Sequence, residues 1–141
     1  MLPDSEIDWE TIRAYTETHY HVHDATPFTL RLGVPSAELE GLQRAHAVDC
    51  CAYLTAYNPF SRKLDERENA ARQAALASEL KQSGYVFLEG AGQHPSDAWA
   101  EPSFAVLGMQ LQEAKDLGNK YEQNALVWCG KDSIPQLILL R

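Results

Sequence analysis

Residues 97–129 constrain the fold more than any other part of the sequence. They read DAWAEPSFAVLGMQLQEAKDLGNKYEQNALVWC, which is a polar loop, an apolar run, an amphipathic segment and a second apolar run. This order predicts a strand, a helix and a second strand, with both strands apolar enough to be buried. The joints between these elements are the most promising place for a site. The residues at the joints are Trp99, Glu101, Ser103, Gln123 and Asn124.

The rest of the chain also alternates between short apolar runs and longer amphipathic segments. Residues 6–18 predict a first helix, and residues 19–24 with 27–33 alternate as the two strands of a hairpin. Further helices are expected to begin after Ser36 and Asp65, because both residue types are common N-terminal caps. The remaining strands are expected at 50–57, 85–90, 102–108, 125–129 and 134–140.

These elements predict an α+β domain with a mixed, largely antiparallel sheet and about three to four helices packed mainly on one face. A length of 141 residues fits one globular domain covering residues 1–141, in which residues 1–18 form a loosely packed N-terminal helix. The composition, 45% hydrophobic and 23% charged, is typical of a globular chain and argues against disorder.

Charge and cysteine content exclude several classes of protein. The net charge of −8, from 20 acidic and 12 basic residues, disfavours binding to nucleic acid or to an anionic membrane surface. No stretch approaches a membrane span, and the first residues lack the features of a secretory signal. Cys50, Cys51 and Cys129 lack metal-binding spacing, which favours reduced, mostly buried thiols in a cytoplasmic protein.

A set of polar side chains is expected to follow the ends of several strands and helices. Loops at strand ends are where α/β scaffolds usually bind ligands, and these amides, this carboxylate and this guanidinium suit a small polar ligand. A nucleotide, a nucleoside or a sugar would fit this description. The set consists of Asn58, Ser61, Asn69, Arg72, Trp99, Glu101, Ser103, Gln123 and Asn124. Each also has a structural role open to it, such as an Asx turn at Asn58 or a salt bridge between Arg72 and Glu101.

The helix that begins after Asp65 has an inner row of mixed character. By helical spacing this row contains Asn69, Arg72 or Gln73, Leu76 and Leu80. Its C-terminal half is apolar and its N-terminal half is polar. The helix is therefore expected to point amide and guanidinium groups inward at one end.

Glu101 is the candidate for acid–base catalysis. Its neighbours Trp99 and Pro102 are expected to raise its pKa by removing water from the carboxyl group. Asp97 is near in sequence but is not placed as a second catalytic carboxylate, and neither Ser61 nor Ser103 has a nucleophile signature. The sequence thus leaves open whether the protein is an enzyme, and its cofactors are unknown.

Two further motifs could bind a metal or a phosphate, but a purely structural role is favoured for each. His19, His21 and His23 share one face of a strand, but together they span roughly 13 Å, too far for all three to bind one metal. A polar strand face is the preferred interpretation, and no metal site is predicted. The segment 90–93, GAGQ, could cradle a phosphate but is not followed by a helix, so a flexible connection is favoured.

Four short motifs, spaced along the chain, match the sequence pattern of a protein family. They are TAYNPFS at 55–61, Asn69 with Arg72, WAEPS at 99–103 and QNA at 123–125. In this order the motifs TA-x-NP-x-S, N-x-x-R, W-x-EPS and QNA resemble a family of small bacterial proteins known as a domain of unknown function. The resemblance runs from about residue 20 to the C-terminus and implies no known reaction. Glu122 departs from the pattern, in which a small residue, often glycine, precedes QNA.

Two hypotheses of different classes follow. In the first, a cytoplasmic domain binds a small polar ligand in a pocket formed by the polar set, and Glu101 acts on the ligand if there is turnover. In the second, an acidic interaction or regulatory module docks on a basic protein partner without catalysis. Under the first hypothesis, Glu101→Gln should keep the fold and lose ligand binding.

Overall fold

The computed structural model describes residues 5–141 and contains four α-helices, a short 3-10 helix and seven strands in the predicted order. The helices are α1 (Trp9–Glu17), α2 (Ala37–Ala45), α3 (Glu66–Gln82) and α4 (Leu111–Lys120), with the 3-10 helix at Pro59–Ser61. The strands are β1 (His19–Val22), β2 (Phe28–Leu30), β3 (Cys51–Leu54), β4 (Val86–Gln93), β5 (Glu101–Leu107), β6 (Ala125–Cys129) and β7 (Pro135–Leu139). In this part of the chain, no helix combines the length and the apolar character required to cross a membrane.

The seven strands form one sheet in the order β2-β1-β4-β5-β3-β6-β7. Every neighbouring pair described is antiparallel. This confirms the predicted α+β class and its largely antiparallel sheet. β7 begins at Pro135 and lies at an edge, as expected for a residue that cannot donate a backbone hydrogen bond to a neighbouring strand.

The helices cover both faces of the sheet rather than mainly one face as expected, because α2 covers the face opposite to α3 and α4, and each face has its own apolar cluster. On one face, Leu76 and Leu80 of α3 pack in the same cluster as Leu54 of β3, together with residues of α4. On the opposite face, Leu39 of α2 packs with Cys51 of β3 and other strand residues. This second face also holds the pocket described below.

The two predicted helix caps are formed. The Ser36 hydroxyl accepts a hydrogen bond from the Leu39 backbone at 3.1 Å, and the Asp65 carboxylate accepts one from Glu68 at 2.8 Å. In α3, the inner row is the predicted one. Its buried residues are Asn69, Gln73, Leu76 and Leu80.

The prediction for residues 90–93 is wrong, because β4 continues through Gln93 and this segment is neither a flexible connection nor a phosphate loop. Close packing explains why position 90 is a glycine. A Cβ there would lie 2.2 Å from the His21 carbonyl oxygen and 2.9 Å from the Tyr53 hydroxyl. Only glycine leaves room for the hydrogen bond that Tyr53 donates to that carbonyl at 2.7 Å.

The three histidines do not all lie on one strand, since β1 ends at Val22 and His23 follows it. The rings of His19 and His21 meet edge to face at 6.0 Å, and His21 Nδ1 is 2.8 Å from the Thr29 hydroxyl. Within residues 5–141, no group of three or more metal-ligating side chains is positioned to hold an ion.

Candidate functional site

A pocket of about 260 Å³ opens on the sheet face that also carries α2. In the strand register, Gly92 of β4 lies between Tyr20 of β1 and Glu101 of β5. Since side chains of paired residues point to the same face, Tyr20 and Glu101 face each other across a residue that has no side chain. Ser103 and Tyr53 project from the same face and complete the floor. The pocket therefore occupies the space that Gly92 leaves open.

Glu101 is the partly buried carboxyl group of this floor. Burial raises its pKa from 4.5 to about 7, and a long hydrogen bond of 3.5 Å from the Asn58 amide lowers it only partly. The direction agrees with the expectation from the sequence. Near neutral pH, this group exists in both its acid and its base form.

Three tyrosines line the pocket together with Glu101. Burial raises the pKa of Tyr20 and of Tyr53, and it raises the pKa of Tyr57 to about 12. The negative charge of Glu101 adds to each increase. These phenols consequently remain protonated at physiological pH.

The hydroxyl protons of these tyrosines are already used within the protein. Tyr20 donates to the Tyr15 carbonyl at 2.6 Å, Tyr53 to the His21 carbonyl at 2.7 Å and Tyr57 to the Glu66 carboxylate at 2.7 Å. The bonds fix the rings, and they leave oxygen lone pairs rather than O–H groups for a ligand.

The polar half of α3 does not line the pocket but holds the loop that does. Asn69 accepts a hydrogen bond from the Asn58 backbone N–H and donates to its side-chain oxygen, both at 2.8 Å. Gln73 accepts from the Ala56 backbone N–H at 2.8 Å. These contacts fix the residues that place Asn58 next to Glu101.

Arg72 contributes to the same support. Its guanidinium donates to the Ala56 carbonyl at 2.8 Å and to the Tyr121 carbonyl, and it pairs with Glu122 at 3.5 Å. The salt bridge to Glu101 considered from the sequence is thus replaced by one to Glu122. Glu122 lies just after the C-cap of α4 at φ +57°, a left-handed conformation that favours glycine, which explains why a glycine would suit this position.

The loop after β3 holds an unusual backbone. Asn58, Phe60 and Ser61 have φ values of 46°, 52° and 60°, respectively. Left-handed conformations are tolerated by asparagine but are costly for phenylalanine. Such conformations persist only where surrounding contacts impose them, and they concentrate at ligand-binding and catalytic sites.

Ser61 and Asn124 connect this loop to the N-terminal helix and to the C-terminus. Asn124 donates to the Ser61 hydroxyl at 2.9 Å, and Tyr15 of α1 lies 2.8 Å from the same hydroxyl. Arg141 donates to the Asn124 side-chain oxygen at 3.0 Å. Through these contacts, α1 forms one wall of the pocket.

The structure places six of the nine sequence-predicted site residues around the pocket. They are Asn58, Ser61, Trp99, Glu101, Ser103 and Gln123. The other three are Asn69, Arg72 and Asn124, which support the walls from behind. Further lining residues that were not expected from the sequence include Tyr15, Tyr20, Tyr53, Tyr57, His94 and Asp97. Alternation along β3 indicates which of its residues share a face. It does not indicate that Tyr53 and Tyr20 lie near Glu101, because that depends on the pairing of strands that are distant in sequence.

These features define an α+β protein with a seven-stranded antiparallel sheet and a polar, aromatic-lined pocket. Residues 54–126, slightly more than half of the chain, match the family described as protein of unknown function (DUF3293), and the chain belongs to this family. No curated protein and no solved structure matches the chain. The matched segment contains the loop at Asn58, the support from α3 and the strand that carries Glu101.

Proposed function

We propose that this protein binds a small polar ligand in the pocket around Glu101 and that it does so in the cytoplasm. The observation that carries the proposal is a partly buried carboxyl group in an open pocket, with its pKa raised to about 7. Among the ion pairs of residues 5–141, none includes Glu101. An unpaired carboxylate in such a place opposes folding, so a binding role explains its presence better than a structural role.

The surrounding architecture supports a preorganised site. Amides of α3 hold the loop at Asn58, and the hydroxyls of Tyr20 and Tyr53 are fixed by backbone carbonyls. A binding pocket benefits from such support because its side chains lose little freedom when a ligand arrives. The three free cysteines are all buried thiols, which supports a reducing compartment.

The size of the pocket restricts the ligand. A volume of about 260 Å³ corresponds to roughly nine water molecules at their volume in the liquid. This is enough for a sugar-sized molecule or for part of a nucleoside, and it is too small to enclose a dinucleotide. If the bound molecule is also transformed, Glu101 is the group that can accept or donate a proton near neutral pH.

A thermal-shift screen of the purified protein tests binding. The compounds are nucleosides, simple sugars, amino acids and small amines, each added to the wild type and to Glu101→Gln. A ligand at 100 times its dissociation constant should stabilise the protein by about 2.7 kcal/mol, which raises its melting temperature by several degrees. Glu101→Gln should remove this shift.

Glu89→Gln is the matched control, because Glu89 is an exposed carboxylate on the neighbouring strand β4. It should leave the shift unchanged. A screen in which no compound shifts the wild type would contradict the proposal and favour the acidic interaction module.

A further inference from the structure

Carboxyl groups give the pocket lining an acidic character. Glu101 and Asp97 are carboxyl residues, and His94 is the remaining titratable side chain apart from the tyrosines. The Nδ1 atom of His94 accepts a hydrogen bond from the Ser96 backbone at 3.1 Å, so that its other nitrogen, Nε2, can donate to Glu17 at 3.0 Å. Within the described chain, no lysine or arginine belongs to the lining.

The arginines next to the pocket walls are already engaged. Arg72 donates to backbone carbonyls and pairs with Glu122, as described above. Arg141 donates to Asn124 and lies 4.0 Å above the centre of the Phe60 ring. A phosphate or carboxylate ligand would therefore meet Glu101 and Asp97 without a lysine or arginine of the lining to compensate it, and His94 is already engaged by Glu17.

Two pairs of aromatic rings line the pocket together with the carboxyl group. Tyr20 and Tyr53 pack edge to face with ring centres 5.4 Å apart, and Tyr57 and Trp99 are 6.3 Å apart. The electron-rich faces of such rings attract cations. Because the three tyrosine hydroxyl protons are donated to the protein, the oxygens left for a ligand act as hydrogen-bond acceptors.

We propose that this pocket selects a small organic cation that donates hydrogen bonds, such as a primary amine with an apolar body, and excludes anions. The inference rests on the proposed binding function and specifies the chemical class of the ligand. The ammonium group lies against the Glu101 carboxylate, and the apolar body packs on the tyrosines and on Val127 and Leu137 of the lining.

Binding should depend on pH because the cation prefers the ionised form of Glu101. The titratable groups that face this carboxyl are Tyr20 from β1, Tyr53 from β3, Tyr57 from the following loop, and Asp97 and His94 from the loop before β5. The tyrosines stay neutral between pH 6 and pH 8. Apparent affinity should therefore rise about tenfold over this interval, as the ionised fraction of a group with a pKa of about 7 rises.

Calorimetric titration of the full chain with three compounds of similar size tests the inference. The probes are 2-phenylethylamine, 2-phenylethanol and phenylacetate, which differ mainly in charge. At pH 8 the amine should bind about tenfold more tightly than the alcohol, and phenylacetate should not bind. Glu101→Gln should abolish both the preference for the amine and its pH dependence, whereas Glu89→Gln should preserve both.

Adenosine and methyl glucoside, titrated in parallel, separate the two proposals. If either of them binds while the amine does not, the cation inference is overturned and the proposed function stands. Equal or tighter binding of phenylacetate or 2-phenylethanol also overturns the inference. Retention of the pH dependence in Glu101→Gln would contradict the role given to Glu101. If none of the five compounds binds, both proposals fail.

Discussion

Under the proposed function, Glu101 has opposite effects on folding and on binding. Its carboxyl group is largely buried and receives one long hydrogen bond, so its ionised form is poorly solvated. A carboxylate in such surroundings interacts more strongly with a cation than it would in water. The feature that lowers the stability of the free protein thus increases its capacity to bind a charged partner.

This opposition predicts that Glu101→Gln stabilises the unliganded protein. The folded state holds the Glu101 proton more tightly than the unfolded state, because the pKa is raised from 4.5 to about 7. The free energy of unfolding of the wild type therefore falls as the pH rises from 4.5 to about 7, whereas that of the glutamine variant does not. Above pH 7 the free energy of unfolding should be greater in the variant by on the order of 2–3 kcal/mol.

Urea denaturation at pH 5 and pH 8 measures this effect. The difference between the variant and the wild type should be small at pH 5 and should grow toward pH 8. Glu89→Gln should show no such trend, since Glu89 is exposed. A glutamine variant that is less stable than the wild type at pH 8 would show that the Glu101 carboxylate has a stabilising partner.

At the scale of elements, α3 has two functions along one inner row. Leu76 and Leu80 pack into the apolar core, whereas Asn69 and Gln73 hydrogen-bond the backbone of the loop after β3. Arg72 beside them binds the Ala56 carbonyl. The helix thereby connects the core to the pocket wall, and the position of Asn58 depends on residues that do not line the pocket.

Arg72→Ala tests this support. The substitution leaves the Ala56 carbonyl without its hydrogen-bond donor and leaves the Tyr121 carbonyl with only the Gln123 amide, so the free energy of unfolding should fall by about 2–3 kcal/mol. Affinity for a pocket ligand should also fall, because the loop at Asn58 becomes less fixed. Chemical denaturation and calorimetric titration measure the two effects.

Arg67→Ala is the control for this experiment, since Arg67 is exposed on the same helix. Its removal should change stability by less than about 0.5 kcal/mol. Similar effects of the two alanine substitutions would show that the contacts of Arg72 do not support the pocket.

Over the whole molecule, stability is expected to be greatest in the middle of the sheet. β3 and β5 are neighbours near the centre and are buried along most of their length, whereas β2 and β7 are the edge strands. Local opening requires less free energy where a strand has one neighbour and fewer buried contacts.

Amide hydrogen exchange should follow this arrangement. The slowest amides are expected at 52–54 and 104–107, and the amides of β2 and β7 should exchange at least about tenfold faster. Mass spectrometry of the intact chain after timed exchange and proteolysis measures the order. Greatest protection in β7 would mean that stability does not follow the position of a strand in the sheet.

Local signals in the sequence were sufficient to predict most of the helices and strands. Ser36 and Asp65 have side chains that cap helices, and Pro135 cannot donate to a neighbouring strand, so each acts through its own chemistry. The mixed row of α3 could also be read in advance, because residues three or four apart share a helix face. Local patterns failed at residues 90–93, where glycines that usually indicate a loop lie within a strand.

The sequence by itself therefore determined the order of the elements, the α+β class and the polar residues at their joints. Only the tertiary structure decided that β3 lies between β5 and β6, and that Tyr20 and Tyr53 reach the same face as Glu101. The physical reason is the range of the interactions. Helical periodicity and capping act between neighbours in sequence, whereas strand pairing joins residues far apart, and a shift by one residue moves a side chain to the other face.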